Sequence, residues 1–250
     1  MFVLLEWRRF PEELDMKKLK IVIILGIILF LPVSSLNLNI SEAKFNIKNT
    51  NFSDTVVLVT GFGPFGNHDE NPSQIIAETL NGTIINGALV VGIVLPVDFD
   101  ESVENITQAI DKYNPSIVLS YGLDADAKKI CIEKIGLNLR LRNYIRWVPF
   151  NLYRLDPKGP FLRLSSLPSN KIVKSIREVG IPAKQDFFAG LYICNSLLYN
   201  LLGYICNNDL QIKAGFIHVP LMSTQDPEGM DIEKMIEASE IAIQVSVSNL

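Results

Sequence analysis

The chain has 250 residues, of which 48% are hydrophobic and 20% charged, with a formal net charge of −4 and a pI near 5.3. This length supports one sizeable core, and the mild acidity argues against nucleic acid as the main partner. Three cysteines do not make a disulfide framework, and with two distant histidines they match no zinc pattern. We therefore expect no metal site.

An apolar run near the N-terminus is typical of a targeting segment. Three lysines precede residues 21–31, which are apolar throughout, and small residues follow. This arrangement predicts that residues 19–36 are a signal peptide or a membrane anchor, with the true start at Met16. The body of the protein is then expected to be secreted, or membrane-anchored and facing outside the cytoplasm. The alternative is a buried core helix in a cytoplasmic protein.

Residues 36–54 are polar and rich in asparagine, as in a linker, so we place an N-terminal extension at 1–54 and one folded domain at 55–250. Within that domain, continuous apolar runs predict buried strands, and apolar residues at helical spacing predict helices. The alternation of the two predicts an α/β fold with a mostly parallel sheet. The predicted strands are 55–60, 88–95, 116–120, 130–141, 183–187 and 214–219. The predicted helices are 71–80, 99–113, 169–179, 194–206 and 231–247.

Two details complete this prediction. Ser169 stands at the start of a helical pattern and is expected to cap that helix. Residues 142–168 have no clear period and contain several prolines and glycines, which predicts an irregular flap.

Cys194 is the first candidate for chemistry, because it lies in the first turn of a predicted helix. Free backbone N–H groups and the positive end of the helix dipole favour the nucleophilic thiolate there. His218 ends a later predicted strand, where sites gather in such sheets. The alternative is that Cys194 is a small core residue and His218 a buried, hydrogen-bonded one. Spacing alone does not bring the two together.

Glu133 is a carboxylate within an apolar stretch, and a buried charge is costly unless it is paired. It is a candidate for the third group that orients a catalytic imidazole. The alternative partner is Lys129 or Lys134, in a surface ion pair on an edge strand. The residues by themselves leave both interpretations open.

Four blocks of sequence narrow these alternatives. In their order and approximate spacing they resemble the signature blocks of the pyroglutamyl-peptidase I family of cysteine peptidases, over residues 55–248. The blocks are residues 61–66 (GFGPFG) with 71–73 (NPS), residues 133–138 (EKIGLN), residues 189–195 (AGLYICN) and residues 216–220 (FIHVP).

The resemblance implies a three-layer α/β/α sandwich and hydrolysis of an N-terminal pyroglutamyl residue from peptides, without metal or cofactor. It implies that Cys194 is the nucleophile, His218 the general base and acid, and Glu133 the residue that orients His218. Phe62 and Phe65 match the aromatic residues that clasp the pyroglutamyl ring. A small uncharged lactam offers flat faces for such stacking and few polar groups.

The chain also departs from the family pattern. Bacterial members commonly have an arginine six residues before the glutamate, where this chain has Ala127 beside Lys128; animal-type members also lack that arginine. Leu191 replaces the usual threonine before the nucleophile, and Ser196 replaces a bulky residue. Two alternatives therefore stay open: a catalytically silent pyroglutamyl-binding module, and a thiol amidohydrolase of different specificity. The partners that we expect are peptide substrates, a membrane that residues 19–36 attach to, and further copies of the same chain in a homo-oligomer.

Overall fold

The computed structural model describes residues 55–66, 68–141 and 152–250. The predicted leader and residues 142–151 of the predicted flap lie outside the described residues. The helices are α1 Pro72–Leu80, α2 Glu101–Tyr113, α3 Ser169–Glu178, α4 Ile193–Asn207 and α5 Ile232–Val247. The strands are β1 Val56–Phe62, β2 Ile84–Ile85, β3 Ala88–Leu95, β4 Ile117–Leu123, β5 Ile130–Glu133, β6 Ile135–Leu137, β7 Arg140–Leu141, β8 Leu152–Tyr153, β9 Leu162–Leu164, β10 Ala183–Asp186 and β11 Lys213–Val219.

Seven of these strands form one sheet in the order β10-β5-β11-β4-β1-β3-β2. Four neighbouring pairs are parallel: β10 with β5, β11 with β4, β4 with β1, and β1 with β3. The pairs β5 with β11 and β2 with β3 are antiparallel. The predicted mostly parallel mixed sheet is confirmed, and the change of direction between β11 and β5 matters for the site.

The sheet is covered on both faces, as the continuous apolar runs predict. Val57 and Val59 of β1 belong to the core cluster that contains residues of α1, α3 and α5. Leu58 and Phe62 belong to the opposite cluster, which contains residues of α2 and α4. Successive side chains of a strand point to opposite faces, so each face buries its own helices. The three-layer α/β/α sandwich is confirmed.

The predicted strand 130–141 is in fact three short strands in three different sheets. Only β5 belongs to the main sheet, whereas β6 pairs with β9 and β7 pairs with β8. The chain leaves the main sheet after Glu133 because β6 packs directly on helix α4. A Cβ on Gly136 would lie 2.9 Å from the backbone nitrogen of Tyr199. The described part of the predicted flap is likewise paired in β8 and β9 rather than irregular throughout.

The predicted cap at Ser169 is wrong. Helix α3 begins at Ser169 itself, with Pro168 before it and no side-chain capping bond. The Ser169 hydroxyl instead accepts hydrogen bonds from Lys134 Nζ at 2.9 Å and Gln185 Nε2 at 3.0 Å. The Ser169 oxygen thus binds side chains from distant parts of the chain instead of the backbone N–H groups at the start of the helix.

The start of helix α1 comes unusually close to strand β1 at Gly61. A Cβ on this glycine would lie 1.9 Å from the backbone oxygen of Ser73. Gly63, two residues later, is a matched contrast, because a Cβ there would have its nearest neighbours at 4.0 Å. Alanine variants at the two positions therefore distinguish the effect of close packing from the effect of replacing a glycine as such.

We expect Gly61→Ala to lower the free energy of unfolding by about 1–3 kcal/mol, because the added methyl group pushes α1 away from the sheet. Gly63→Ala is expected to change it by less than about 0.5 kcal/mol. Urea denaturation of both variants checks this. Equal losses of stability in the two variants would contradict the proposed close contact.

Candidate active site

The glycine-rich turn after β1 is held by the first residues of helix α1. The Asn71 side chain caps α1 by accepting from the Ser73 backbone N–H at 3.0 Å, and its Nδ2 donates to the Gly63 carbonyl at 3.0 Å. The Ser73 hydroxyl accepts from the Phe62 backbone N–H at 3.0 Å. These bonds fix the turn that carries Phe62 and Phe65.

A pocket of about 480 Å³ opens beside this turn. Most of its lining residues are apolar or aromatic. They come from the turn and the start of α1, from the segment after β3, from the ends of β4 and β11, and from the segment that leads into α4. Four of the five predicted site residues line it, and Glu133 lies behind it. The lining residues are Phe62, Phe65, Asn71, Val97, Leu123, Asp124, Ala125, Asp126, Phe188, Ala189, Gly190, Tyr192, Ile193, Cys194 and His218.

The two predicted ring-binding residues differ in their surroundings. Phe62 is 3% exposed and packs against Phe216, with ring centroids 6.4 Å apart, so it serves the core as well as the pocket. Phe65 is only partly buried. Phe65 is therefore the cleaner probe of what the pocket binds.

The antiparallel pairing of β5 and β11 brings Glu133 to His218. Glu133 lies opposite Phe216 in the register, and Phe216 and His218 point to the same face of the sheet. Glu133 Oε1 is 2.8 Å from His218 Nδ1, and the two residues are 1% and 6% exposed. Lys134, an alternative partner for Glu133, binds Ser169. The buried carboxylate thus takes the histidine as its partner rather than a surface lysine.

Cys194 approaches the same imidazole from the other side. It is the second residue of helix α4, so the predicted position in the first turn is confirmed. Burial alone would lower the pKa of His218, but the charge and hydrogen bond of Cys194, followed by those of Glu133, raise it to about 10. Because Glu133 engages Nδ1, Nε2 is the ring nitrogen left for the thiol. The arrangement favours a protonated imidazole.

A second cysteine lies close by but is chemically different. Cys131 is opposite His218 in the β5–β11 register and is 2% exposed. Burial raises the pKa of the Cys131 thiol to about 12, so it stays protonated at neutral pH. Cys206, at the far end of α4, is exposed. Cys194 alone of the three lies in the pocket.

Asn195 ties the Cys194 helix to the segment that follows Glu133, a role that the sequence did not reveal. Its side chain is fully buried. Its Oδ1 accepts from the Leu137 N–H at 2.8 Å, and its Nδ2 donates to the carbonyls of Leu137 at 2.9 Å and Leu139 at 2.8 Å. Asn195 appeared in a signature block, but only the fold shows what it holds.

Lys128 does not take the place of the arginine found in bacterial members. Its Nζ is 3.4 Å from Asp226 Oδ2 and 3.3 Å from Glu228 Oε2, so two carboxylates engage it. The described residues also contain no group of three or more His, Cys, Asp or Glu side chains that could hold a metal ion. The absence of a cofactor remains a prediction.

Comparison with known proteins identifies the family. The family model described as pyroglutamyl peptidase matches residues 55–249. The chain belongs to the pyroglutamyl peptidase family. The predicted resemblance is confirmed, and the chain is a cysteine hydrolase of the pyroglutamyl-peptidase I type.

Three relatives show how far this similarity extends. Pyrrolidone-carboxylate peptidase 1 of Caldanaerobacter subterraneus is 36% identical over 199 residues, which cover 76% of this chain and 97% of the relative. The solved pyrrolidone carboxyl peptidase of Thermococcus litoralis is 31% identical with a TM-score of 0.72, covering 78% of this chain and 94% of that one. Pyroglutamyl peptidase I of Bacillus amyloliquefaciens is 29% identical with a TM-score of 0.73, covering 78% and 97%.

The prediction of a secreted or membrane-anchored protein is wrong. The relatives align over nearly their whole lengths with about three quarters of this peptidase, and the family match begins at residue 55. None of the described helices is long and apolar enough to cross a membrane. The predicted signal peptide or anchor at 19–36 lies outside the described residues, and neither it nor membrane attachment finds support in the comparisons. The predicted homo-oligomer is also unsupported.

The Glu133–His218 pair makes a testable electrostatic prediction. In wild type, His218 is expected to keep its second proton far above pH 6.5 and to lose it near pH 10. Glu133→Gln should lower the pKa of His218, because the amide removes the negative charge. Imidazole NMR titration measures this, with His68→Gln assigning the signal of the only other histidine.

The same shift has a consequence for stability. A raised pKa in the folded state stabilises the protein fully below about pH 6.5, and that contribution is lost as the pH rises through about 10. The free energy of unfolding of wild type should therefore fall more steeply between these values than that of Glu133→Gln. Equal pH dependence in the two proteins would contradict the assigned coupling.

Proposed function

We propose that residues 55–250 form the catalytic domain of a cysteine exopeptidase that removes an N-terminal pyroglutamyl residue through a Cys194–His218–Glu133 triad. The observation that carries this proposal is the buried line from Glu133 through His218 to the thiol at the pocket. Glu133 Oε1 lies 2.8 Å from His218 Nδ1, and the charge and hydrogen bond of Cys194 raise the pKa of the same imidazole. A nucleophile, a base and a group that orients the base are the parts that acyl transfer by a thiol requires.

The pocket suits the proposed acyl group. Pyroglutamate is a small, uncharged lactam, and a volume of about 480 Å³ accommodates it together with the start of the following residue. Phe62 and Phe65 present apolar ring surfaces to it. The names of the relatives, pyrrolidone-carboxylate peptidase and pyrrolidone carboxyl peptidase, refer to the same chemical group, which supports this choice of substrate.

The first turn of α4 supplies donors for the developing oxyanion. The first N–H groups of a helix have no partner within the helix and lie at the positive end of its dipole. Ile193, Cys194 and Asn195 open α4, so these groups lie beside the thiol. With Lys128 engaged by Asp226 and Glu228, backbone donors are the better-supported source of oxyanion stabilisation.

The proposed reaction has two halves. The Cys194 thiolate attacks the pyroglutamyl carbonyl, and the negative charge that develops on oxygen is stabilised by the N–H groups of α4. The His218 imidazolium then protonates the leaving amine, which releases the shortened peptide and leaves a thioester. His218 next removes a proton from water, which hydrolyses the thioester and frees pyroglutamate, while Glu133 holds the imidazole in position throughout.

The decisive experiment measures release of a fluorescent amine from its pyroglutamyl amide under reducing conditions. We expect Cys194→Ala to lose at least about 10³-fold in kcat/KM, because the nucleophile is gone. Cys206→Ala is the matched control, since it removes an exposed thiol from the other end of the same helix. Mass spectrometry of wild type mixed rapidly with substrate should show the protein carrying one pyroglutamyl group.

Three other outcomes would overturn the proposal. If wild type and Cys194→Ala bind the amide equally and neither turns it over, the protein is a binding module. If wild type hydrolyses other N-terminal amides and leaves pyroglutamyl amides intact, it is a thiol amidohydrolase of different specificity. If the Cys194→Ala variant keeps full activity, the nucleophile is another residue.

Phe65→Ala tests the assignment of the ring-binding wall. We expect KM to rise roughly 5- to 30-fold, because an aromatic contact of about 1–2 kcal/mol is lost, with a smaller effect on kcat. Phe161→Ala removes an exposed phenylalanine outside the pocket and should leave KM unchanged. An unchanged KM in Phe65→Ala would exclude this residue from substrate binding.

A further inference from the structure

Gly122 lies where the proposed nucleophile meets the sheet. It is a buried residue near the end of β4, directly opposite His218 in the parallel pairing of β4 with β11. Residues opposite each other in a sheet point to the same face, so the position of a Gly122 side chain is next to the imidazole. Because residue 122 is a glycine, that position holds no side chain.

The Cys194 thiol and the Phe216 ring share this space. A Cβ built on Gly122 would lie 3.0 Å from Cys194 Sγ and 2.7 Å from Cζ of Phe216. The backbone of Gly122 is not in the left-handed region, so alanine would bring no conformational strain there. What glycine provides at this position is therefore room rather than backbone freedom.

Of the two atoms that a methyl group would meet, the thiol is the easier to displace. The Phe216 ring is fully buried and lies between the Phe62 ring at 6.4 Å and the His218 ring at 4.9 Å. The Cys194 thiol, in contrast, leaves its site by rotation about a single side-chain bond and faces an open pocket. A side chain at residue 122 would press on both the ring and the thiol, and we expect the thiol to be the group that moves away from the imidazole.

We propose that Gly122 is a positioning residue. Because it has no side chain, it leaves a space, called the seat below, in which the Cys194 thiol is held beside His218. The proposal rests on the proposed role of Cys194 as nucleophile. It adds that the register of β4 against β11 places the sulfur, since His218 and the empty position at residue 122 are direct neighbours.

The test begins with kinetics of Gly122→Ala on a pyroglutamyl amide. We expect kcat to fall about 100-fold, the usual effect of a misplacement near 1 Å, while KM stays within about threefold of wild type. Ser120→Ala is the matched control, because it alters a buried residue on the same strand and face without adding an atom. It should keep kcat within about twofold.

Alkylation of the thiol by iodoacetamide provides a readout that a purely structural role would not move. In wild type the nearby imidazolium should make alkylation fast at neutral pH. In Gly122→Ala the alkylation rate at neutral pH should fall, because the sulfur has moved away from the imidazolium. An unchanged alkylation profile together with unchanged kcat would overturn the proposal.

A double-variant cycle in thermal unfolding separates this proposal from the proposed function. Cys194→Ala removes the sulfur, so Gly122→Ala should lower the melting temperature less in that background than in wild type. If Gly122→Ala alone does not fold, folding of the double variant Gly122→Ala/Cys194→Ala would support the proposal. Failure of both variants to fold would overturn it. Coupling without pyroglutamyl hydrolysis would leave the seat intact and refute only the proposed function.

Discussion

The carboxylate of Glu133 is almost entirely removed from water. The architecture of the site depends on providing this carboxylate with a partner that offsets the cost of its burial. Taking an ionised carboxylate out of water costs several kcal/mol, and removing its partner from such a pair costs about 3–5 kcal/mol. His218 is the partner, and Cys194 raises the pKa of the same imidazole. The protonation of His218 therefore depends on both of its neighbours.

The pairing of β5 with β11 sets the positions of Glu133 and His218 relative to each other. The strands β1, β4 and β11 are parallel and bring Phe62, Leu123 and His218 to one edge of the sheet, as expected for an open α/β sheet. Strand β5 starts at that edge and runs away from it, because it is antiparallel to β11, so Cys131 lies opposite His218 and Glu133 lies opposite Phe216. The Glu133 side chain is on the same face as His218 and reaches its imidazole from two residues further into the sheet.

Much of this arrangement follows from local patterns in the sequence. The apolar run before Gly61, the start of a helix near Asn71 and the place of Cys194 in the first turn of α4 are local features, and each was predicted. The resemblance of four sequence blocks then supplied the family. These predictions succeed because strand periodicity, capping and helix starts depend on residues within one or two turns of each other.

The failures share a different physical origin. Spacing alone left the partner of Glu133 open, because His218 is 85 positions away along the chain. The pieces of the predicted strand 130–141 are separated by pairing with β9 and β8. Ser169 lost its predicted capping role to Lys134 and Gln185, which only the fold brings near. Patterns within a few residues of sequence do not predict contacts between residues that are far apart along the chain. The predicted location failed because it rested on residues 19–36 alone, whereas the family similarity begins at residue 55.

Cys194 and Asn195 are adjacent in sequence but point to opposite surroundings, one into the pocket and one into the backbone of residues 137–139. Any rotation or sliding of helix α4 that moved the thiol would break three buried hydrogen bonds of its neighbour. The freedom left to the sulfur is rotation about its own side-chain bond. The thiol is thus preorganised before any substrate arrives, and little of the binding energy of a substrate need be spent on ordering it.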